Sequence, residues 1–380
     1  MQHTKKLIGI DLHNSQSTVS IIEEGRISDT IHGSLDMTAC DAVVSVSSFM
    51  TDDDRRYLIS QMAMRGIRVM RLISNMLAAC VADRERLNTG MLNHVLGVYC
   101  AEESIEVAFI DVEDDIFEMK GAAKLGITDD PQGALAQYLK KVLGDDEDVD
   151  ATVDIALKEI RETGSSTVQG KLKTVTINKS KLEELFLGFK EVFKYIPAAI
   201  EKLGKIVYYS DILAVTHIIF TGNSSVFDDP NSIDKKIKNL YPKASVKLDS
   251  DGSPPSRGAA IHSSILGGVQ LRDIPTDSIL VLDTTMLGVY IQDNQQKYEL
   301  IQPATTIPCK MSHNITSTSA VEVYQKIEDG SYKLVQTLNM MSSEIGDEYD
   351  VDVDANGILY FSQKSKTISF ISPHASITIN

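Results

Sequence analysis

The chain has 380 residues, 43% of them hydrophobic, no Trp, and a formal net charge of −16 at pH 7. That length supports roughly two or three domains, each with its own core. The acidity argues against direct nucleic-acid binding, because phosphate affinity comes mainly from Lys and Arg, so work near RNA would need a basic partner. Cys40, Cys80, Cys100 and Cys309 are far apart and show no C-x-x-C spacing, which reads as buried free thiols in a reducing compartment. No apolar run is long enough for a signal peptide or a membrane span, so the chain is expected in the cytoplasm, away from membranes.

Leu7 to Asp11 and Thr18 to Ile22 read as two apolar strands joined by a tight polar connection, with Asp11 where the first strand runs out. Glycines in such a connection would let backbone N–H groups close in on a phosphate. His13, Asn14 and Ser15 stand there instead. The stretch has the shape of a nucleotide site without the residues that make one work.

Ile27 to Asp41 reads as a polar connection, and Ala42 to Val46 as a β-branched strand. Thr51, followed by Asp52, Asp53 and Asp54, predicts a helix start, and Gly66 its end. Ile67 to Ile73 is a strand, and Asn75 is expected to cap a second helix. This alternation argues for an α/β layer. Strands are predicted at Val95 to Tyr99, Ile105 to Ile110 and Ile116 to Lys120, and a helix over Pro131 to Leu143. The acidic run from Gly144 to Asp150 lacks the glycine and terminal glutamate of a calcium loop and reads as a solvated turn. Ser180 and Glu183 form a capping-box pair ahead of Leu182, Leu185, Phe186, Phe189, Val192, Phe193 and Ile196, a helical core face rather than a cofactor box. Ile218 to Phe220 is a buried strand that ends in Thr221-Gly222-Asn223-Ser224-Ser225, a second candidate phosphate or sugar loop. Asp249 to Arg257 reads as a loop, and Gly258 to Leu266 as a small-residue helix. The pattern changes after Gln270: Arg272 to Ser278, with Pro275, reads as a linker, and from Ile279 short alternating strands follow with hairpin signals at Asp293-Asn294, Asp329-Gly330 and Asn356-Gly357, which predicts a separate β-sandwich.

Taken together, these segments resemble the DnaK-type chaperones of the heat-shock 70 family. Gly9-Ile10-Asp11-Leu12 is similar to the family's first phosphate motif. The block from Ala42 to Cys80 is similar, without an internal gap, to its VTVPAYFND to NEPTAAA segment. Ile116 to Lys120 looks like the strand after its second phosphate motif, Thr221 to Ser224 stands where its GGST loop would be, and Gly258-Ala259-Ala260 matches its GAA helix. Ile279 to Asp283 resembles its interdomain linker. Thr305 to Pro308 and Asp354 to Leu359 resemble segments of its peptide-binding sandwich. The resemblance implies an α/β actin-like ATPase fold with two lobes over residues 1–272, a linker over 273–282 carrying Ile279, Leu280, Val281 and Leu282, and an all-β sandwich over 283–380.

The departures fall on the chemistry. The family's DLGGGT becomes Tyr99-Cys100-Ala101-Glu102-Glu103-Ser104, which puts two carboxylates where phosphates would sit and where like charges repel strongly. Its NEP becomes Ser74-Asn75-Met76, losing a carboxylate and a proline. Its switch proline becomes Ser47, while its relay arginine survives as Arg55, and the arginine of its adenosine-side loop becomes Ser225. One lobe-I subdomain is expected to be missing between Ile31 and Asp41, and the helical lid after Asn380. Asp11, His13, Asn14, Ser15, Asn75, Glu102, Glu103 and Gly222 would thus line a vestigial cleft with no catalytic residue, no metal and no ATP.

Within the family, the character is closest to the Ssz-type subunit of the ribosome-associated complex, whose first loop is similar to Asn14 to Thr18. That likeness implies a nucleotide-independent scaffold for a zuotin-like J-domain protein. The partner would reach the ribosome, and nascent or unfolded polypeptide is a further expected ligand. A lidless holdase for extended peptides is the alternative, and an active ATPase ranks last because phosphoryl transfer depends on positioned phosphate, metal and charge.

Overall fold

The structure is a computed structural model that describes residues 6–12, 17–32, 40–87, 90–101, 104–126, 131–144, 150–170, 173–181, 192–208, 212–222, 237–249, 253–276, 279–316, 320–328, 330–338 and 346–364. Residues 145–149 of the predicted acidic turn, the helical face from Leu182 to Phe189 and the loop after Gly222 lie outside these residues, as do His13, Asn14, Ser15, Glu102 and Glu103. Two compact units divide the chain: one holds residues 1–101, 106–124 and 199–380, the other 102–105 and 125–198.

The first unit opens with strands β1 (Lys6–Leu12), β2 (Ser17–Glu23), β3 (Arg26–His32) and β4 (Cys40–Val46), helix α1 (Asp52–Met64), strand β5 (Ile67–Ser74) and helix α2 (Asn75–Ala82). The strands form one sheet in the order β3-β2-β1-β4-β5. Every residue of β4 is buried, as in a strand covered on both faces, and its two polar residues, Asp41 and Ser45, are paired with Arg68 and Asp11. One face packs Ile8, Ile10, Val44 and Leu72 with Met62 of α1. The other packs Leu7, Val43 and Ile73 with α2. Thr51 caps α1 by accepting from the Asp54 N–H, and Gly66 follows the helix with φ +75°.

Part of the predicted polar connection is in fact strand β3, which places Ile27 opposite Ile22. An outermost strand hydrogen-bonds on one side only and tolerates polar residues, so no apolar pattern marked it. Asn75 is also corrected: it is the first residue of α2, after Ser74 at the cap position, and its carboxamide oxygen accepts from the Met76 N–H at 2.8 Å.

Strands β6 (Asn93–Cys100), β7 (Ser104–Glu113) and β8 (Ile116–Gly126) follow. The second unit comprises α3 (Pro131–Leu143), α4 (Asp150–Thr163) and the hairpin of β9 (Ser165–Gln169) with β10 (Thr174–Asn178). Its core joins Leu135, Leu139 and Leu143 of α3 to Val153, Leu157 and Ile160 of α4. Helix α5 (Val192–Leu203) carries Ile196 in a buried position. Strands β11 (His217–Gly222) and β12 (Ser245–Leu248), helix α6 (Pro254–Gly267) and strand β13 (Leu280–Thr285) return to the first unit.

Helix α6 begins inside the stretch read as a loop, because a proline in the first helical turn has its φ preset and no N–H to lose. It is wedged between β1 and α2. A Cβ on Gly9 would lie 2.0 Å from the Ser256 carbonyl, and one on Gly258 would lie 1.7 Å from the Ala78 carbonyl. Only glycine allows backbones to approach this closely.

The sandwich is built from β14 (Val289–Asp293), β15 (Gln296–Ile301), β17 (Cys309–Asn314), β18 (Val321–Lys326), β19 (Tyr332–Leu338), β20 (Glu348–Val353) and β21 (Leu359–Gln363). The sheets β15-β14-β18-β19 and β17-β20-β21 face each other across Val289, Ile291, Val321, Val323, Val351, Val353 and Phe361. The hairpins turn at Asn294 and at Gly357, as their sequences predict. The sandwich has its own core and lies in the same compact unit as the two large sheets. Strand β13 pairs with β8, and β16 (Thr305–Ile307) pairs with β13, so both extend the sheet ordered β12-β11-β6-β7-β8-β13-β16. Cys40, Cys80 and Cys100 are buried and free, and Cys309 is free and half-buried. Among the described residues, no helix is long and apolar enough to cross a membrane.

His262 of α6 is buried with neither ring nitrogen hydrogen-bonded. Burial, and then the Arg71 charge, push it from 6.5 down to about 4. The unfolded chain therefore binds the proton first, and stability falls as the pH drops from 6.5 toward 4, by about 3 kcal/mol at most. Urea melts of the wild type should show this acid limb, and His262→Leu should flatten it.

Candidate functional site

Asp11 is 1% exposed near the end of β1, beside Thr18 and Ser45 of the flanking strands. Ser45 Oγ donates to Asp11 Oδ1, and the Tyr99 hydroxyl lies 3.5 Å from Asp11 Oδ2. Tyr99 belongs to β6, so this contact joins the two large sheets. Burial, with Asp11 and Glu106 nearby, holds the Tyr99 phenol well above its ordinary value, so it stays a neutral donor.

A second polar bridge runs parallel to the first. Glu106 of β7 is buried and accepts from Ser47 Oγ at 2.7 Å and from the Ser48 N–H at 3.1 Å. Burial raises its pKa, against the opposing pull of these bonds. Sequence reasoning missed Glu106 and Ser45. The signal for Glu106 was available: a lone acid within the apolar run Ile105 to Ile110 needs a buried partner.

Gly222 ends β11 opposite Cys100 with φ +128°, and a Cβ there would lie 2.1 Å from the Cys100 carbonyl oxygen. Strand packing alone therefore accounts for this glycine. Asn75 directs its carboxamide oxygen at its own helix. Of the sequence-predicted cleft residues within the described set, Asp11 meets Tyr99, while Asn75 and Gly222 serve local backbone. Among the described residues, no group of three or more His, Cys, Asp or Glu side chains could hold a metal ion.

The richest polar constellation lies where the sandwich meets the first sheet. Leu280, Val281 and Leu282 pair in parallel with Ile116, Phe117 and Glu118, and the Leu280 N–H donates to the Asp115 carbonyl at 3.0 Å. Ile279 and Val281 are buried, while Leu280 is 48% exposed. Strand β5 is the open edge of the first sheet. Its Ser74 N–H donates to Asp283 Oδ2 at 2.8 Å, and its Leu72 N–H to Asn356 Oδ1 at 2.9 Å. Residues two apart send their N–H groups the same way, so both acceptors come from the sandwich side.

Helix α1 makes the rest of this contact. Asp52 Oδ1 accepts from the Leu359 N–H at 2.7 Å, the Asp52 N–H donates to Gln325 Oε1 at 2.9 Å, and Arg56 donates to Asp52 Oδ2 at 2.7 Å and to the Leu359 carbonyl. Arg55, 8% exposed, donates to the Met50 carbonyl at 3.0 Å and to the Asn356 carbonyl at 2.9 Å. Its guanidinium lies against Gly357, where a Cβ would sit 3.1 Å from Cζ. Burial lowers the Arg55 pKa, and Asp283, Asp354, Asp52 and Glu106 oppose that shift.

The Hsp70 protein family matches residues 26–378 of this chain. Heat shock protein hsp-6 of Caenorhabditis elegans is 25% identical over 390 residues, an alignment that takes in 93% of this chain and 57% of the relative. The chain thus spans a little over half the length of that curated relative.

Removing Arg55 would leave the Asn356 carbonyl unpaired and Asp283 and Asp354 uncompensated. Arg55→Ala should cost about 1–3 kcal/mol in urea denaturation, the cost of leaving a buried acceptor without its donor. Gly357→Leu, which strains a turn residue with φ +72° and crowds the guanidinium, should also destabilise the chain and should open the linker to limited proteolysis.

Proposed function

The chain belongs to the Hsp70 family, and from that premise we propose that it is a nucleotide-independent chaperone subunit, a pseudo-ATPase that holds a J-domain partner of the zuotin type in the cytosol. The reading rests on one observation above all. The buried carboxylates Asp11 and Glu106 are engaged by protein donors: Ser45 and Tyr99 on one, Ser47 and the Ser48 N–H on the other. Carboxylates already bonded in this way offer little to a magnesium–phosphate complex. The first-loop residues His13, Asn14 and Ser15, and the acids Glu102 and Glu103, favour the same reading: His13, Glu102 and Glu103 stand where the family has glycines that approach phosphate, and Asn14 and Ser15 where it has threonines. The same reading takes the stretch between Ile31 and Asp41 as the place of a subdomain lost from lobe I.

Without ATP to distinguish two arrangements, the sandwich would keep the docked position described above, since a population shifts only for a ligand that prefers one state. A basic J-domain partner would suit the acidic chain and would carry the pair to ribosomal RNA, leaving no direct nucleic-acid contact to this subunit. An extended segment of that partner could add to a strand edge of the sandwich.

Titration calorimetry with ATP and magnesium should give no heat. A micromolar dissociation constant, or nucleotide retained through purification, would overturn the pseudo-ATPase reading. Tagged full-length chain recovered from its own cells should bring a J-domain protein with it. Asp11→Asn should leave that recovery unchanged, while Val281→Asp, which undocks the linker, should lose it. Recovery of unfolded polypeptides alone would favour the holdase.

A further inference from the structure

The two outer faces of the sandwich are finished differently. On the three-stranded sheet, Lys310 bridges Asp350 at 2.8 Å and Asp352 at 3.6 Å, Ser312 donates to Asp350 at 2.6 Å, and Lys364 pairs with Glu348 at 2.6 Å. Charges of alternating sign thus finish this face, apart from its β21 margin, where Arg56 of α1 lies 5.3 Å from the centre of the Tyr360 ring.

The outer face of β15-β14-β18-β19 carries tyrosines instead. Tyr290 of β14 and Tyr324 of β18 are directly opposite in register. Tyr332 of β19 meets Tyr290 edge-on at 5.1 Å and Tyr324 edge-on at 6.4 Å. Tyr332 and Leu334 are 40% and 45% exposed, so the aromatic platform reaches solvent. Lys297 Nζ stands 4.1 Å from the Tyr324 ring centre and 3.9 Å from that of Tyr332. Two carboxylates complete the arrangement: the Tyr290 hydroxyl donates to Glu299 at 2.6 Å, and the Tyr324 hydroxyl to Glu322 at 2.6 Å.

We propose that this face is a docking site for a Lys- or Arg-bearing segment of a basic protein partner, whose cation takes the place that Lys297 occupies over Tyr324 and Tyr332. Three observations commit the site to a cation. The rings already hold an ammonium, as the quadrupole of an aromatic face allows. Glu299 is fixed at the rim by the Tyr290 hydroxyl on Oε1, and Glu322 by the Tyr324 hydroxyl and Gln292 Nε2 on Oε2, which leaves the second oxygen of each carboxylate to accept from an incoming guanidinium or ammonium. The whole chain carries a net charge of −16, which draws a basic partner and repels a second copy. Lys297 can yield its place because it lies on β15, the edge strand of its sheet, and its flexible four-carbon stem can swing clear. The site works whether or not the cleft between the large sheets binds ATP.

The test uses the full-length chain and a capped arginine–glycine repeat peptide, with a glutamine–glycine repeat as the neutral control, followed by calorimetry at two salt concentrations. The arginine peptide should bind and the control should not. Lys297→Ala removes the internal competitor and should tighten binding about two- to fivefold, the range of an exposed cation–π contact. Tyr332→Ser should weaken binding by at least as much, and Glu299→Gln with Glu322→Gln should reduce its salt dependence. A Lys297 that merely packs on the rings would give a different pattern: Lys297→Ala would lower thermal stability and leave peptide affinity unchanged, which overturns the proposal. Equal binding of the neutral control, or a dimer in sedimentation that Tyr332→Ser abolishes, overturns it as well.

Discussion

Two backbone N–H groups, those of Leu72 and Ser74, govern how the chain is put together. They lie on β5, the open edge of a five-stranded sheet, where unpaired donors invite pairing with another chain. Asn356 and Asp283 satisfy them with side-chain oxygens. Asp283 also belongs to β13, whose preceding residues pair with β8 at the margin of the other large sheet. The segment Leu280–Asp283 therefore extends one sheet by a strand, with β16 beyond it, and caps an edge of the other. A shift of one residue along β8 would turn Asp283 away from Ser74, so the register of β13 and the seating of the sandwich are fixed together.

The interior of the first unit follows the same rule of internal satisfaction. Asp11 and Glu106 are carboxylates taken out of water between two sheets, where an unpaired charge is strongly unfavourable. Serine hydroxyls, one tyrosine hydroxyl and one backbone N–H stabilise them. These bridges join β1 to β6 and the end of β4 to β7, so the polar groups also set the spacing of the sheets. Neutral Tyr99 and neutral His262 fit an interior that admits few charges.

The parts of this structure legible in the sequence are those with local causes. The β1–β2 hairpin, buried β4, and α1 between Thr51 and Gly66 announce themselves by alternation, apolar runs and caps. The turns at Asn294 and Gly357 do so by residue type. Strand β3 is hidden because one partner is enough for an edge, and α4 and the β9–β10 hairpin go unread between acidic and polar stretches. Pro254 reads as a loop breaker, yet it opens α6. Asp11 and Gly222 stand out as strand ends, but what they touch depends on residues far away in sequence: Ser45 and Tyr99 for one, Cys100 for the other. Arg55 is recognisable by resemblance, whereas its contacts with Asn356 and Gly357 some 300 residues later follow only from the fold.

The contact between α1 and the sandwich is mostly directional and polar. Of the linker residues, Ile279 and Val281 are buried while Leu280 stays half-exposed, so apolar burial alone would hold the sandwich loosely. Each hydrogen bond adds only about 1 kcal/mol net, but breaking one half leaves a buried donor or acceptor unpaired at a larger cost. Arg55 makes this acute, since its cation lies among Asp283, Asp354, Asp52 and Glu106. Two of these four carboxylates belong to the sandwich side and two to the N-terminal side. Pulling the sides apart therefore uncovers charge on both. That coupling makes the contact cooperative: the bonds of Asp52, Arg55, Asn356 and Asp283 hold together or fail together, and a single well-placed substitution acts on all of them.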